Sequence, residues 1–187
     1  MEETPLSGLP LPQEEIATII CSATSEVFST MLGIEITAGQ LESGKTAGAK
    51  KSGVVALLGL AGDWVGSGSL SCDQPFACKM ASALLMAEYA AVDDDVLDAV
   101  AEVANMVIGN VKTTLEEKLG PLGLSVPTVI YGRNFEAHSV GHNDWVIVPF
   151  DAGEGNLFNV QLSMAPNKGG RGGRFHPGFP LTNSVSM

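Results

Sequence analysis

The sequence has few cysteines, few basic residues and no long apolar run, and each shortage excludes a class of protein. None of the apolar stretches in the 187 residues reaches the roughly 18 residues that a membrane-spanning helix needs. The segment 1–12 begins acidic and turns proline-rich, whereas a signal peptide begins basic and continues apolar. We therefore predict a cytoplasmic protein with no membrane partner.

Basic residues are scarce compared with acidic ones. The chain has 10 Lys and Arg against 21 Asp and Glu, which gives a net charge of −11. Such a surface repels the phosphate backbone of nucleic acids as well as anionic lipids. The charge therefore predicts no nucleic-acid partner and favours a protein partner with a basic patch.

Cysteine and histidine are also too few and too poorly spaced to predict a metal site. The cysteines are odd in number and lack the C-x-x-C spacing of zinc and redox sites: Cys21, Cys72 and Cys78. We predict buried thiols in a reducing compartment. His138 and His142 are four residues apart, but the intervening Gly141 predicts a loop rather than a metal-binding helix face.

The apolar pattern predicts one domain, 13–165, between two polar ends. Hydrophobic residues make up 45% of the chain and charged residues 17%, as in a compact globular protein. Residues 1–12 are predicted to be flexible. Residues 166–187 are rich in Gly, Arg and Pro, cannot bury enough apolar surface to fold alone, and are predicted to form a disordered tail.

Helices and strands are predicted in blocks along this domain. Apolar residues recur at helical spacing over 13–32, from the N-cap Asp73 to about Tyr89, and from Asp93 to Gly120. Strands are predicted at 34–37, 53–60, 64–71, 125–131, 145–150 and 156–163. The glycines of the 64–71 strand suggest that another element packs closely over it. This order predicts an α/β layered fold with a mostly antiparallel sheet.

The long helix divides into an apolar face and a polar ridge. The ridge consists of Asp98, Glu102, Asn105, Gly109 and Lys112, which fall within an arc of roughly 80°. The apolar face carries Leu97, Val100, Ala104, Val107, Ile108, Val111 and Leu115. An ordinary solvated face would explain such a ridge. However, Asn105 is a weak helix former and Gly109 costs about 1 kcal/mol relative to Ala, so the ridge indicates a functional surface.

Glu102 and Asn105 lie three residues apart and project side by side from the ridge. An amide both donates and accepts hydrogen bonds, so Asn105 can orient a water molecule without acting as a base. In phosphoryl transfer, positioning and electrostatics supply most of the catalysis. The carboxylate of Glu102 suits a salt bridge to a lysine of the substrate. Spacing and chemistry agree, but they do not identify that substrate.

The segment 98–110, DAVAEVANMVIGN, resembles the phosphatase signature of the CheC/CheX/FliY family. That signature has Asp or Ser, then Glu four residues later and Asn three residues after that, matched by Asp98, Glu102 and Asn105. The glycine-rich hairpin at 59–71 and the segment 124–130, LSVPTVI, are also similar to CheX-type proteins. The resemblance covers roughly 13–165.

This resemblance implies a CheC/CheX-like layered fold, with a mostly antiparallel sheet packed against two long helices. It also implies a phosphatase that hydrolyses the aspartyl phosphate of a CheY-like response regulator. Asn105 would place the attacking water and Glu102 would engage the regulator, while Asp98, Gly109 and Lys112 are assigned to partner contact. Magnesium would be supplied by the phosphorylated regulator, so we expect no cofactor and no metal site in this chain.

A second set of residues in the first helix, Ser22, Glu26 and Ser29, has the same spacing of four and three. Because Ser29 stands in the position of the asparagine, we predict that this helix is not an active site. A single motif fits the CheX type, which implies a homodimer joined through its sheet. Two alternatives stay open: a non-catalytic module that binds a response regulator in signalling or the flagellar switch, and a structural protein with a plain solvent face.

Overall fold

The structure is a computed structural model that describes residues 8–44, 51–135 and 145–168. The expectations for residues 1–7, for His138 and His142, and for 169–187 lie outside these ranges. Within the ranges, three helices and eight strands form the α/β fold that the sequence predicts. No helix of the described part is both long and apolar enough to cross a membrane.

The helices begin and end at local signals, most of which the sequence carries. They are α1 (Gln13–Val27), extended by a π-helical turn (Phe28–Leu32), α2 (Gln74–Leu85) and α3 (Asp94–Leu119). Gly33 ends the first helix with a φ of 63°, in the left-handed region. The side chains of Asp73 and Asp93 accept hydrogen bonds from Phe76 N and Val96 N, so both are the N-caps of their helices.

The prediction that α2 reaches Tyr89 was wrong. The helix ends at Leu85, because Met86 adopts a left-handed conformation with a φ of 54°. Tyr89 N donates a hydrogen bond of 3.1 Å to Ser82 Oγ, and this bond folds the chain back onto the helix instead of extending it. Nothing in the sequence marks Met86 as a left-handed residue, since non-glycine residues rarely adopt that conformation.

Eight strands form one sheet in which every pairing is antiparallel. The strands are β1 (Thr37–Ala38), β2 (Glu42–Gly44), β3 (Lys51–Gly62), β4 (Trp64–Cys72), β5 (Leu122–Leu124), β6 (Thr128–Phe135), β7 (Trp145–Asp151) and β8 (Leu157–Pro166). The spatial order is β1-β7-β8-β4-β3-β5, with β2 also on β7 and β6 also on β3. The two-residue and three-residue strands at the edges are too short to show alternation in the sequence.

The ends of the domain differ from the predicted boundaries at two places. Leu9, within the segment predicted to be flexible, is only 3% exposed and belongs to the core. At the other end β8 includes Pro166, and Asn167 N donates a hydrogen bond of 2.8 Å to Asp63 O. Both ends are therefore packed for a few residues beyond 13–165.

The core lies between one face of the sheet and all three helices. Its centre is an aromatic cluster in which Phe158 contacts three other rings, at centroid distances of 4.7 Å (Phe28), 5.2 Å (Phe76) and 5.0 Å (Phe150). A Cβ added at Gly68 of β4 would lie 2.8 Å from Ile108 Cδ1 of α3. The glycine-rich strand therefore permits the close packing that the sequence suggests, and the element that packs over it is α3.

The three cysteines carry free thiols. Cys72 and Cys78 are buried and Cys21 is half-buried, so the prediction of burial is confirmed in full only for the first two. Burial raises the pKa of the Cys72 thiol well above its ordinary value. These thiols are therefore poor nucleophiles, as expected of residues that serve as packing.

Candidate functional site

The polar ridge of α3 faces away from the core. The buried side of the helix includes Val100, Val107 and Ile108, with Leu97 only half-buried at its margin. On the ridge, Asp98 and Glu102 are exposed, and the remaining three residues are half-buried: Asn105, Gly109 and Lys112. Their spacing on one continuous helix brings all five predicted residues onto one surface, with the acidic pair nearer the amino-terminal end.

The side chains of Glu102 and Asn105 are free to engage a partner. Among the described residues neither side chain makes a hydrogen bond or an ion pair, and the same holds for Asp98. A polar side chain on a solvent-facing helix can keep its hydrogen-bonding capacity for water or a ligand without a desolvation cost. The ridge therefore presents one amide and two carboxylates whose hydrogen-bonding groups the fold does not consume.

The space above Gly109 is open except on one side. A Cβ added at Gly109 would meet only Leu124 Cδ2, at the ordinary contact distance of 3.9 Å. Packing within the described chain therefore does not require glycine at this position. A Gly in the interior of a helix costs about 1 kcal/mol relative to Ala. Close approach of another molecule to the helix would explain a glycine at this position, and it stays a prediction.

Lys112, predicted to contact a partner, is held within the chain. Its Nζ donates a hydrogen bond of 2.9 Å to Glu116 Oε2, one turn further along α3. Glu116 Oε1 in turn accepts a hydrogen bond of 2.8 Å from Leu122 N, at the start of β5. Any partner contact by Lys112 would have to compete with this network, which fixes β5 against the helix.

The Glu116 carboxylate is stabilised in its charged form by this network. The hydrogen bond from Leu122 N and then the bond from Lys112 lower its pKa below the ordinary value. A carboxylate with a lowered pKa stabilises the folded state above its unfolded pKa, near 4.3, and this contribution disappears as pH falls through the folded pKa.

We therefore expect Glu116→Gln to lower the free energy of unfolding at pH 7, by an amount that shrinks toward zero as the pH falls below about 4. Urea unfolding of both proteins across this pH range measures the difference. Glu117→Gln is the matched control, because Glu117 is exposed on the same helix. A Glu116→Gln difference that stays constant with pH would contradict the assigned role of the carboxylate.

In the second candidate set, which lies on the first helix, the Ser29 hydroxyl is already hydrogen-bonded to the helix backbone. Ser29 lies in the π-helical turn, and its Oγ donates a hydrogen bond of 3.2 Å to Glu26 O. Thr30 Oγ1 donates to the same carbonyl at 2.6 Å. A short hydroxyl bound to its own backbone reaches outward less than the amide of Asn105, which agrees with the prediction that this helix is not an active site; it stays a prediction.

The segment Ser125–Pro127, between β5 and β6, begins close to the ridge, and the helical spacing of α3 could not place it there. Ser125 is tied to β3 by two hydrogen bonds, Gly59 N to Ser125 Oγ at 2.8 Å and Ser125 N to Gly59 O at 2.9 Å. The only signal in the sequence is its place in the segment that resembles CheX-type proteins. Because Leu124 borders Gly109, this segment begins beside the ridge.

The described residues around the ridge form no cluster of metal ligands. Within the ranges that the structure describes, no group of three or more His, Cys, Asp or Glu residues is arranged to hold a metal ion. The acidic residues of the ridge, Asp98 and Glu102, are consecutive along one helix face, which suits contact with a protein surface.

Comparison with known proteins identifies the family. The family model for the chemotaxis phosphatase CheX matches residues 54–151. The CheY-P phosphatase CheX of Thermotoga maritima is 28% identical over 127 residues, which are 67% of this chain and 81% of that protein.

Solved structures of CheX proteins have the same fold. The chemotaxis protein CheX from Desulfovibrio desulfuricans is 30% identical with a TM-score of 0.72, covering 80% of this chain and 99% of that one. A CheX from Borrelia burgdorferi, solved in complex with CheY, beryllium fluoride and magnesium, is 31% identical with a TM-score of 0.64, covering 82% and 98%. Since the family model spans more than half of the sequence, the chain belongs to the chemotaxis phosphatase CheX family.

Proposed function

We propose that this chain is a protein phosphatase that hydrolyses the aspartyl phosphate of a CheY-like response regulator. The observation that carries the proposal is that Glu102 and Asn105 lie side by side on the polar ridge of α3, in a chain of the CheX family. The Thermotoga relative is a CheY-P phosphatase, and the Borrelia relative forms a complex with CheY. The reaction class is therefore hydrolysis of a phosphorylated protein.

In this proposal Asn105 positions the attacking water. Its amide oxygen accepts a hydrogen bond from the water and its amide nitrogen donates one to the phosphoryl group, which together hold the water in line with the phosphorus. The water forms the new bond to phosphorus as the bond to the aspartyl oxygen breaks. The products are inorganic phosphate and the free carboxylate of the regulator.

Glu102 and Asp98 hold the regulator in this proposal. Glu102 accepts a salt bridge from a lysine beside the phosphorylation site, and Asp98 extends the same acidic surface by one turn. Gly109 lets the regulator approach the helix backbone. Lys112 can contact the regulator only if its ion pair with Glu116 breaks. The magnesium ion is a ligand of the regulator, and no step uses a metal held by this chain.

A non-catalytic module that binds a regulator is the second candidate, because an exposed ridge of this kind would also serve recognition alone. The free amide of Asn105 favours the phosphatase, since recognition does not require a water-positioning group.

We further propose that the protein is cytoplasmic and forms a homodimer joined through the sheet, as the family resemblance implies. Sedimentation of the chain at several concentrations measures its oligomeric state.

The proposal is tested by phosphate release from a panel of phosphorylated CheY-like regulators in the presence of magnesium. We expect the chain to accelerate release from at least one regulator over the rate of that regulator alone. A regulator that binds the chain yet loses phosphate at its own unassisted rate would favour the binding module.

We expect Glu102→Gln to raise the KM for the phosphorylated regulator by about tenfold, because a charged contact across the interface becomes neutral. The effect should fall as ionic strength rises, since salt screens the contact in the wild type. Initial rates at low and high salt measure both effects. Glu117→Gln, which removes an exposed carboxylate from the same helix outside the ridge, is the matched control. Equal KM values for both variants would remove Glu102 from the partner surface.

A further inference from the structure

The segment Ser125–Pro127 directly follows Leu124, which borders the ridge at Gly109. Leu124 Cδ2 is 3.9 Å from the position that a Cβ on Gly109 would occupy. Consecutive residues span at most about 3.6 Å each, so the Val126 Cα lies within about 7 Å of the Leu124 Cα. A protein that approaches α3 closely at Gly109 therefore comes near Leu124, two residues before Val126.

This segment is held rigidly in place. Ser125 Oγ accepts a hydrogen bond from Gly59 N at 2.8 Å and donates one to Val126 O at 2.9 Å. The Glu116 carboxylate fixes the start of β5 through Leu122 N. Pro127 follows and restricts the conformation of Val126. A contact made here costs little ordering of the backbone on binding.

Val126 presents an apolar side chain that the fold does not use. It is 83% exposed, although Leu124 is half-buried and Val129 packs against the core. A single exposed apolar residue is ordinary. Here it lies two residues after Leu124, which borders the position of Gly109, a helical glycine that its own fold does not require. Gly109 belongs to the same ridge as Asp98 and Glu102, whose carboxylates make no ion pair among the described residues.

We propose that Val126 is an apolar anchor for the regulator, in contact with the receiver domain beside its phosphorylation site. This inference rests on the proposed function, since the ridge and Val126 would engage one partner together. The acidic carboxylates select the basic rim of that partner, and Val126 packs on an apolar residue next to it. The anchor contributes affinity, while the position of the water stays with Asn105.

The test compares Val126→Ser with Leu157→Ser. Leu157 is also an exposed aliphatic residue, at 62%, but it belongs to β8, where the next residue, Phe158, points into the core. Leu157 therefore projects to the sheet face opposite the helices. Because the proposed homodimer is joined through the sheet, sedimentation must show that Leu157→Ser keeps the oligomeric state of the wild type before the KM values are compared. Both variants should fold, because neither side chain is buried. Thermal unfolding is the check on this.

We expect Val126→Ser to raise the KM for the phosphorylated regulator about tenfold and to leave kcat unchanged, since burying a valine contributes roughly that much affinity. Its affinity for the regulator loaded with beryllium fluoride and magnesium should fall by the same factor. Leu157→Ser should leave both values unchanged.

An unchanged affinity in Val126→Ser would overturn the inference while leaving the phosphatase intact. A shift in oligomeric state instead of regulator affinity would also overturn it, and would assign Val126 to a contact with a second copy of this chain. A wild-type chain that binds the regulator but does not dephosphorylate it would refute the proposed function alone. The affinities of the wild type and Val126→Ser would still show whether Val126 contacts the regulator. A wild type that binds no regulator would overturn both.

Discussion

Replacing Asn105 with Ala is expected to slow phosphate release from the regulator by about 100-fold or more at saturating substrate. The reason is that loss of the amide leaves the water without a fixed position, and misplacement of a reacting group by about 1 Å can cost this factor. Stopped-flow measurement of phosphate release gives the rate. The complex should persist, since Glu102 still contacts the regulator.

The same variant should be as stable as the wild type or slightly more stable. Asn105 makes no side-chain hydrogen bond among the described residues, and Ala is the better helix former. Asn159→Ala is the matched control, because Asn159 lies on β8 outside the ridge. If Asn105→Ala turns the regulator over at the wild-type rate, Asn105 does not position the water.

Replacing Phe158 with Ala is expected to lower the free energy of unfolding by about 3–5 kcal/mol. Phe158 is 1% exposed, and its ring contacts those of Phe28, Phe76 and Phe150. Removal therefore takes apolar surface out of the core and leaves a cavity that three fixed rings surround. Urea unfolding followed by circular dichroism measures the change.

Leu157→Ala is the control for this prediction, because Leu157 is the neighbouring residue of the same strand and is largely exposed. It should change the stability by less than about 1 kcal/mol. A cost for Phe158→Ala no larger than that of the control would mean that the aromatic cluster does not organise the core.

Features determined within a few residues could be predicted from the sequence. The caps Asp73 and Asp93, the left-handed Gly33 and the polar ridge of α3 each depend on neighbours along one helix. The ridge emerges from the 3.6-residue period alone, so the placement of Glu102 and Asn105 on one surface needed no knowledge of the fold.

Features determined by distant contacts could not be predicted. The end of α2 depends on the hydrogen bond from Tyr89 N to Ser82 Oγ, and no sequence pattern near Leu85 predicts this bond. The pairing of Lys112 with Glu116 fits helical spacing, but its connection to Leu122 requires the position of β5. The contact between Leu124 and Gly109 likewise arises only when β5 adds to the sheet.

The proposed phosphatase accelerates attack of water on the phosphorus of a regulator's aspartyl phosphate. It is tested most directly by dephosphorylating a regulator in water enriched in heavy oxygen and following the labelled inorganic phosphate by mass spectrometry. We expect one solvent oxygen in each phosphate released, appearing faster with the chain than without it. Label in the regulator's carboxylate, phosphate transferred to this chain, or a rate equal to that of the regulator alone would contradict it.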